Sequence, residues 1–75
     1  MSEYRSVFGA NVRRARKALG LSQEDLGFET KIDRTYISGI ERGLRNPSLD
    51  IIAVIAERLH TTPAALLTPP ERPEP

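Results

Sequence analysis

The sequence has no cysteine and a single histidine, His60, in its 75 residues. The first absence removes disulfides and thiolate metal sites, and one imidazole is too few for a histidine-built zinc site, so no metal is expected. No apolar run is long enough to span a bilayer and no signal-peptide core follows Met1; a soluble, cytoplasmic protein without a membrane partner is expected. No nucleophile–base pair, glycine-rich phosphate loop or metal cluster can be picked out. Glu24, Asp25, Glu41 and Asp50 are accounted for by capping, pairing or solvation. No catalytic residue is therefore assigned, no cofactor is expected, and the chain does not read as an enzyme. No segment reads as a strand, and no internal repeat is visible. A chain this short makes one small domain with a limited core and a narrow margin of stability.

An excess of one charge is also missing. Eleven basic and ten acidic residues leave a net charge of +1, which alone argues weakly against a nucleic-acid partner. The charges are unevenly spread, however. Residues 1–46 hold nine Lys/Arg against six Asp/Glu, and residues 47–75 hold two against four. A basic amino-terminal part and an acidic end suit a domain that turns one face toward phosphates.

Helical periodicity is what the sequence does contain. Phe8, Val12, Ala15 and Leu19 recur at spacings of four, three and four, predicting a first helix from about Ser6 to Leu19 that Gly20 ends in a left-handed cap. Ser22 is a natural N-cap for a second helix, with Asp25 completing a variant capping box and Leu26 pointing inward. Gly27 weakens that helix by about 1 kcal/mol relative to Ala, which implies close approach to the next helix. Asp33 caps a third helix, with Ile32 as a hydrophobic staple, Ile37 and Ile40 facing inward, and Gly43 as terminator. Asn46-Pro47-Ser48 breaks the chain and caps a fourth helix from about Leu49 to Leu59, with Leu49, Ile52, Ala53, Ala56 and Leu59 as its apolar stripe. Thr62 and Pro63 open a short fifth helix ending near Leu67. The tail from Thr68 to Pro75 is too rich in proline for regular structure, which divides the chain into a domain at 1–67 and an extension at 68–75.

The second and third of these helices, joined by a tight turn, carry the functional signal. The third begins with Asp33 and places Arg34, Thr35, Tyr36 and Ser38 on its polar side. A rigid rod with a hydrogen-bonding leading end is what a DNA major groove can admit and read.

Leu21-Ser22-Gln23-Glu24-Asp25-Leu26, Asp33-Arg34-Thr35-Tyr36-Ile37-Ser38, Ile40-Glu41-Arg42-Gly43 and Asn46-Pro47-Ser48-Leu49, in this order and spacing, resemble the helix-turn-helix domains of the phage repressor and Cro family, also called Xre-like regulators. The resemblance covers about residues 6–67. It implies an all-α fold: a compact five-helix, lambda-repressor-like DNA-binding domain. Within the family the sequence looks most like the small controller proteins of restriction–modification systems. The family usually has Gly where Lys31 stands, so a left-handed turn would cost Lys31 about 1 kcal/mol. It favours Ala where Gly27 stands. Phe28 is apolar at a position expected to face solvent; it either covers the first helix or marks a contact surface.

Each candidate residue has a functional reading and a plainer one. Arg34 can donate two parallel hydrogen bonds to guanine O6 and N7, or contact an adjacent phosphate; otherwise it is a solvated helix Arg. Thr35 can meet a thymine methyl or a base edge, and Ser38 a phosphate or base. Tyr36 either reaches the duplex through its hydroxyl or packs over the turn. Gly39 either lets the helix lie deep in the groove or is tolerated on an exposed face. Gln23, at the start of the second helix, suits a phosphate clamp, a role that the resemblance supports. Arg42, Arg45 and Asn46 either grip the backbone beyond the third helix or are solvated loop residues. Asp33 reads as a cap rather than a base reader. The resemblance also implies a structural ion pair between Arg16 and Glu41, fixing the third helix against the first.

One half-site gives few base contacts. A homodimer on double-stranded DNA, its two third helices about 34 Å apart on a near-palindromic operator, doubles them. Ile51, Val54, Ile55, Leu66 and Leu67 are the surplus apolar residues for that dimer contact, unless they finish the monomer core. The function expected is that of a sequence-specific transcriptional regulator, with no small-molecule ligand. The alternative is an antitoxin-type protein-binding module that also regulates its own operon, with Phe28 and the proline-rich tail as its only hints.

Overall fold

A computed structural model describes residues 3–70. Its five helices are α1 (Glu3–Ala18), α2 (Gln23–Thr30), α3 (Arg34–Glu41), α4 (Leu49–Arg58) and α5 (Pro63–Leu66), with no strand among the described residues. The all-α, five-helix architecture is the one the sequence predicts. Residues 71–75 of the expected tail lie outside the described residues. Thr68, at its start, still packs on the domain, since its carbonyl accepts a hydrogen bond from Asn11 at 3.0 Å.

Every helix contributes to one core. Phe8 and Val12 come from α1, Leu26 from α2, Ile37 and Ile40 from α3, Ile52, Ile55 and Ala56 from α4, and Leu66 from α5. Local chemistry sets where the helices begin. Ser22 Oγ accepts from the Asp25 N–H at 2.9 Å while the Ser22 N–H donates to Asp25 Oδ2 at 3.0 Å, a reciprocal capping box. Asp33, Ser48 and Thr62 accept in the same manner from the N–H groups of Thr35, Ile51 and Ala65. The α2–α3 turn passes through Lys31 at φ 61°, in the left-handed region that favours glycine.

Three expectations are corrected. The first helix starts at Glu3, ahead of Ser6, and ends at Ala18, so Leu19 falls beyond it and is 43% exposed. Leu49 continues the α4 stripe in sequence but stands at the first helical position, 79% exposed, where nothing covers it; Ala53 is exposed as well. Phe28 does not cover α1, being 85% exposed.

Two backbone crossings fix α3. A Cβ at Gly27 would lie 2.6 Å from the Ile32 carbonyl oxygen, so the close approach expected there is made by the turn, with Arg34 Cα next at 3.5 Å. A Cβ at Gly9 would collide with the Ile40 carbonyl, so α1 and α3 cross through this glycine. Asn11, unremarked in the sequence, is buried in α1; its amide donates to the carbonyls of Leu66 at 2.8 Å and Thr68, satisfying the end of α5.

Candidate nucleic-acid interface

The third helix is held at its back and bare at its front. Its inward side chains, Ile37 and Ile40, are fully buried. Its far end is anchored by Arg16 on α1: Nε donates to Glu41 Oε2 at 2.7 Å and Nη2 donates to Glu41 Oε1 at 2.9 Å. Arg16 Nη1 donates to the Leu21 carbonyl at 2.8 Å. Both side chains are nearly inaccessible, 9% for Arg16 and 3% for Glu41. The hydrogen bonds that Arg16 donates to Glu41 hold its pKa above the ordinary value, against the opposing effect of burial. Breaking a buried pair of this kind by removing one partner costs about 3–5 kcal/mol.

Glu41 also reaches α2. The Gln23 amide Nε2 donates to Glu41 Oε1 at 3.1 Å. A carboxylate only accepts, so this contact turns the amide nitrogen toward Glu41. One side chain thus ties α1, α2 and α3 together at the start of α2. The backbone N–H groups of Gln23 and Glu24 there have no intrahelical acceptor, and the carboxylates of Glu24, Asp25 and Glu41 lie at the same end of α2.

On the outer side, Asp33, Arg34, Thr35 and Arg42 are exposed, and Ser38 and Tyr36 are half-buried. Asp33 accepts from the Thr35 N–H at 2.9 Å, the capping geometry expected of it. Arg42 Nε donates to the Ser38 carbonyl at 3.4 Å, placing its charge at the helix end that favours a cation. Arg45 and Asn46 are exposed in the following loop. The Arg45 guanidinium carbon lies 5.2 Å from the centre of the Tyr36 ring. Gln23 is thus joined to the end of α3 through Glu41, and Arg45 of the loop lies against Tyr36 on α3.

The residues expected at a subunit contact separate into two groups. Ile55 has no accessible surface and Leu66 only 3%; both complete the monomer core and cannot meet a partner. Ile51 and Leu67 are half-buried against the same core, and Val54 is exposed. Periodicity did not separate them because α4 is apolar on more than one side and only the packing of α2 and α5 selects the covered one.

Two short helices at a tight turn, the second with a bare polar edge, define a helix-turn-helix DNA-binding protein of the transcriptional-regulator class. The chain belongs to the helix-turn-helix family, which residues 12–66 match. It is 50% identical over 64 residues to the control protein C.BamHI of Bacillus amyloliquefaciens, covering 84% of this chain and 79% of that protein. The crystal structure of the restriction–modification controller protein C.AhdI from Aeromonas hydrophila superposes with a TM-score of 0.79 at 45% identity, over 83% of this chain and 94% of the other. The controller protein C.Esp1396I, solved as a tetramer in complex with its natural 35 base-pair operator, gives a TM-score of 0.78 at 33% identity, over 88% and 87% of the two chains. Among the described residues, no helix is long and apolar enough to cross a membrane.

Proposed function

We propose that this chain is the controller of a restriction–modification system, a cytoplasmic homodimer that binds a near-palindromic operator with one α3 in the major groove of each half-site. The carrying observation is the exposed edge of α3 from Asp33 to Arg42, held rigidly from behind by Arg16 and Glu41. Arg34 and Thr35 are assigned to base edges, and Ser38 and Tyr36 to a base or a neighbouring phosphate. Gln23 is assigned to a phosphate. Glu41 takes one N–H of its amide and leaves the second to donate, beside the free N–H groups of α2. Arg42, Arg45 and Asn46 are assigned to the backbone beyond α3. The proposal gives the protein no reaction of its own and needs no cofactor.

The dimer contact is assigned to the part of the predicted set that keeps accessible surface, Ile51, Val54 and Leu67. Selection of bound duplexes from random DNA tests binding, symmetry and preference together. An inverted repeat with half-site centres about one helical turn apart is expected; recovery of no preferred sequence refutes the proposal. A second reading, a module whose main partner is a protein, draws on Phe28, whose ring stands in solvent beside Lys31 and Arg34. Copurification of a second protein chain that Phe28→Ser releases would favour it.

A further inference from the structure

The glycines inside the helices are not equivalent. At Gly9 and Gly27 the atoms that exclude a side chain are backbone carbonyls of Ile40 and Ile32, so those positions serve the packing of the fold. At Gly39, in the middle of α3, the excluding atoms belong to one flexible side chain. A Cβ there would lie 2.9 Å from Arg45 Cγ, 2.9 Å from Arg45 Nε and 3.4 Å from Arg45 Cδ. Glycine weakens a helix interior relative to alanine, and nothing in the packing of the core asks for it at this position. What occupies its space is a residue already assigned to the DNA surface.

The path of Arg45 gives the reason. Gly39 and Tyr36 are three residues apart and share a face of α3. The loop is fastened to the helix just before Arg45, with the Gly43 N–H donating to the Ile40 carbonyl at 3.0 Å and the Leu44 N–H to the Gly39 carbonyl at 2.9 Å. From there the Arg45 stem crosses the bare backbone of Gly39 and sets its guanidinium by the Tyr36 ring, 5.2 Å from its centre. A methyl group at residue 39 would block that path and leave the fold free to form, because only the stem has to move.

We propose that Gly39 is a positioning residue: by having no side chain it lets Arg45 lie along α3 against Tyr36, so that arginine and tyrosine meet the DNA as one preassembled unit. This rests on the DNA-binding reading above and adds to it a coupling between two residues assigned there separately. Fixing both side chains before contact removes part of the ordering cost of binding. It also makes the Tyr36 ring present the same edge to the duplex each time.

The test is a double-mutant cycle on the full chain, reading affinity for the selected operator by fluorescence anisotropy and stability by thermal melting. Gly39→Ala is expected to melt at or above the wild-type temperature yet bind roughly tenfold more weakly. In an Arg45→Ala background, which has no stem to displace, the same substitution is expected to change affinity less than about twofold. Tyr36→Leu and Arg45→Ala, which leave Gly39 in place, are expected to be non-additive, the double variant losing no more than the worse single one. Equal losses from Gly39→Ala in both backgrounds would mean that the added methyl meets the duplex itself and would overturn the proposal. So would unimpaired binding by Gly39→Ala, or additive losses at Tyr36 and Arg45. A wild-type chain that binds no duplex overturns the DNA reading and this inference together; a wild type that binds as well as Gly39→Ala overturns this inference alone.

Discussion

Arg16 and Glu41 stand 25 residues apart in sequence and meet through two parallel hydrogen bonds at 2.7 and 2.9 Å, locking the end of α3 to α1. Glu41→Ala leaves the Arg16 guanidinium nearly buried and without its anion. The expected loss is about 3–5 kcal/mol, equivalent in a domain of this size to a fall in melting temperature on the order of 15 °C or more. Replacing both residues together, Arg16→Met with Glu41→Leu, is expected to recover much of it, because no charge is then stranded. Circular dichroism melts of the three proteins check this. A Glu41→Ala variant melting within a few degrees of wild type would contradict it.

Asp25 gives a pH dependence. The Ser22 backbone N–H donates to its carboxylate, and contact with the Ser22 side chain acts in the same direction, so its pKa is held below the ordinary value. A depressed folded-state pKa contributes stability that is present above the unfolded value of about 3.9 and is lost as pH falls through the folded value. The stability difference between wild type and Asp25→Ala is expected to be flat from neutral pH to about pH 5 and to shrink below the usual carboxylate range. Urea denaturation across that range checks it; a difference that grows on acidification has the wrong sign for the capping box.

Gln23 and Arg42 are predicted to differ in salt dependence. Both are assigned to the DNA backbone, but only Arg42 carries a charge that releases counterions. Gln23→Ala is expected to weaken binding to all sequences alike and leave the slope of log affinity against log salt unchanged. Arg42→Ala is expected to make that slope shallower by about 0.9. Titrations at several salt concentrations on operator and unrelated duplexes separate the two. A changed slope for Gln23→Ala, or a loss confined to the operator, would remove it from the backbone.

Most of the fold was legible in the sequence because its signals are local. Ser22 with Asp25, Asp33, Ser48 and Thr62 with Pro63 announce four helix starts within a few residues each. The resemblance left the hand of the turn at Lys31 open, and the structure places that residue in the left-handed region. What escaped depends on contacts across long stretches of chain. Leu19 and Leu49 fit their helical stripes but lie where no partner covers them, and Ile55 and Leu66 were indistinguishable from surface apolar residues until α4 and α5 were in place. Gly39 had two readings in sequence, and neither anticipated that Arg45, from the following loop, would lie over it. The exposed polar residues of α3 were legible as a set because consecutive hydrophilic positions on a short helix with two buried isoleucines have only one side to occupy.

The subunit contact is tested by charge. Val54→Glu places a carboxylate on exposed α4 surface and should leave the monomer fold intact, since Val54 is not part of the core. Sedimentation is expected to show a dimer for wild type and a monomer for the variant, with a correspondingly weaker and less cooperative operator titration. A variant that remains dimeric would move the contact away from this face.

The most direct measurement compares wild type and Arg34→Ala on the selected operator and on a duplex of unrelated sequence. Arg34 is exposed at the leading end of α3, so its removal should leave folding and backbone attraction intact. The account predicts that the variant loses about 1–3 kcal/mol of discrimination between the two duplexes while its affinity for unrelated DNA changes little. An Arg34→Ala protein that prefers the operator as strongly as wild type does would contradict the claim that this edge of α3 reads the sequence.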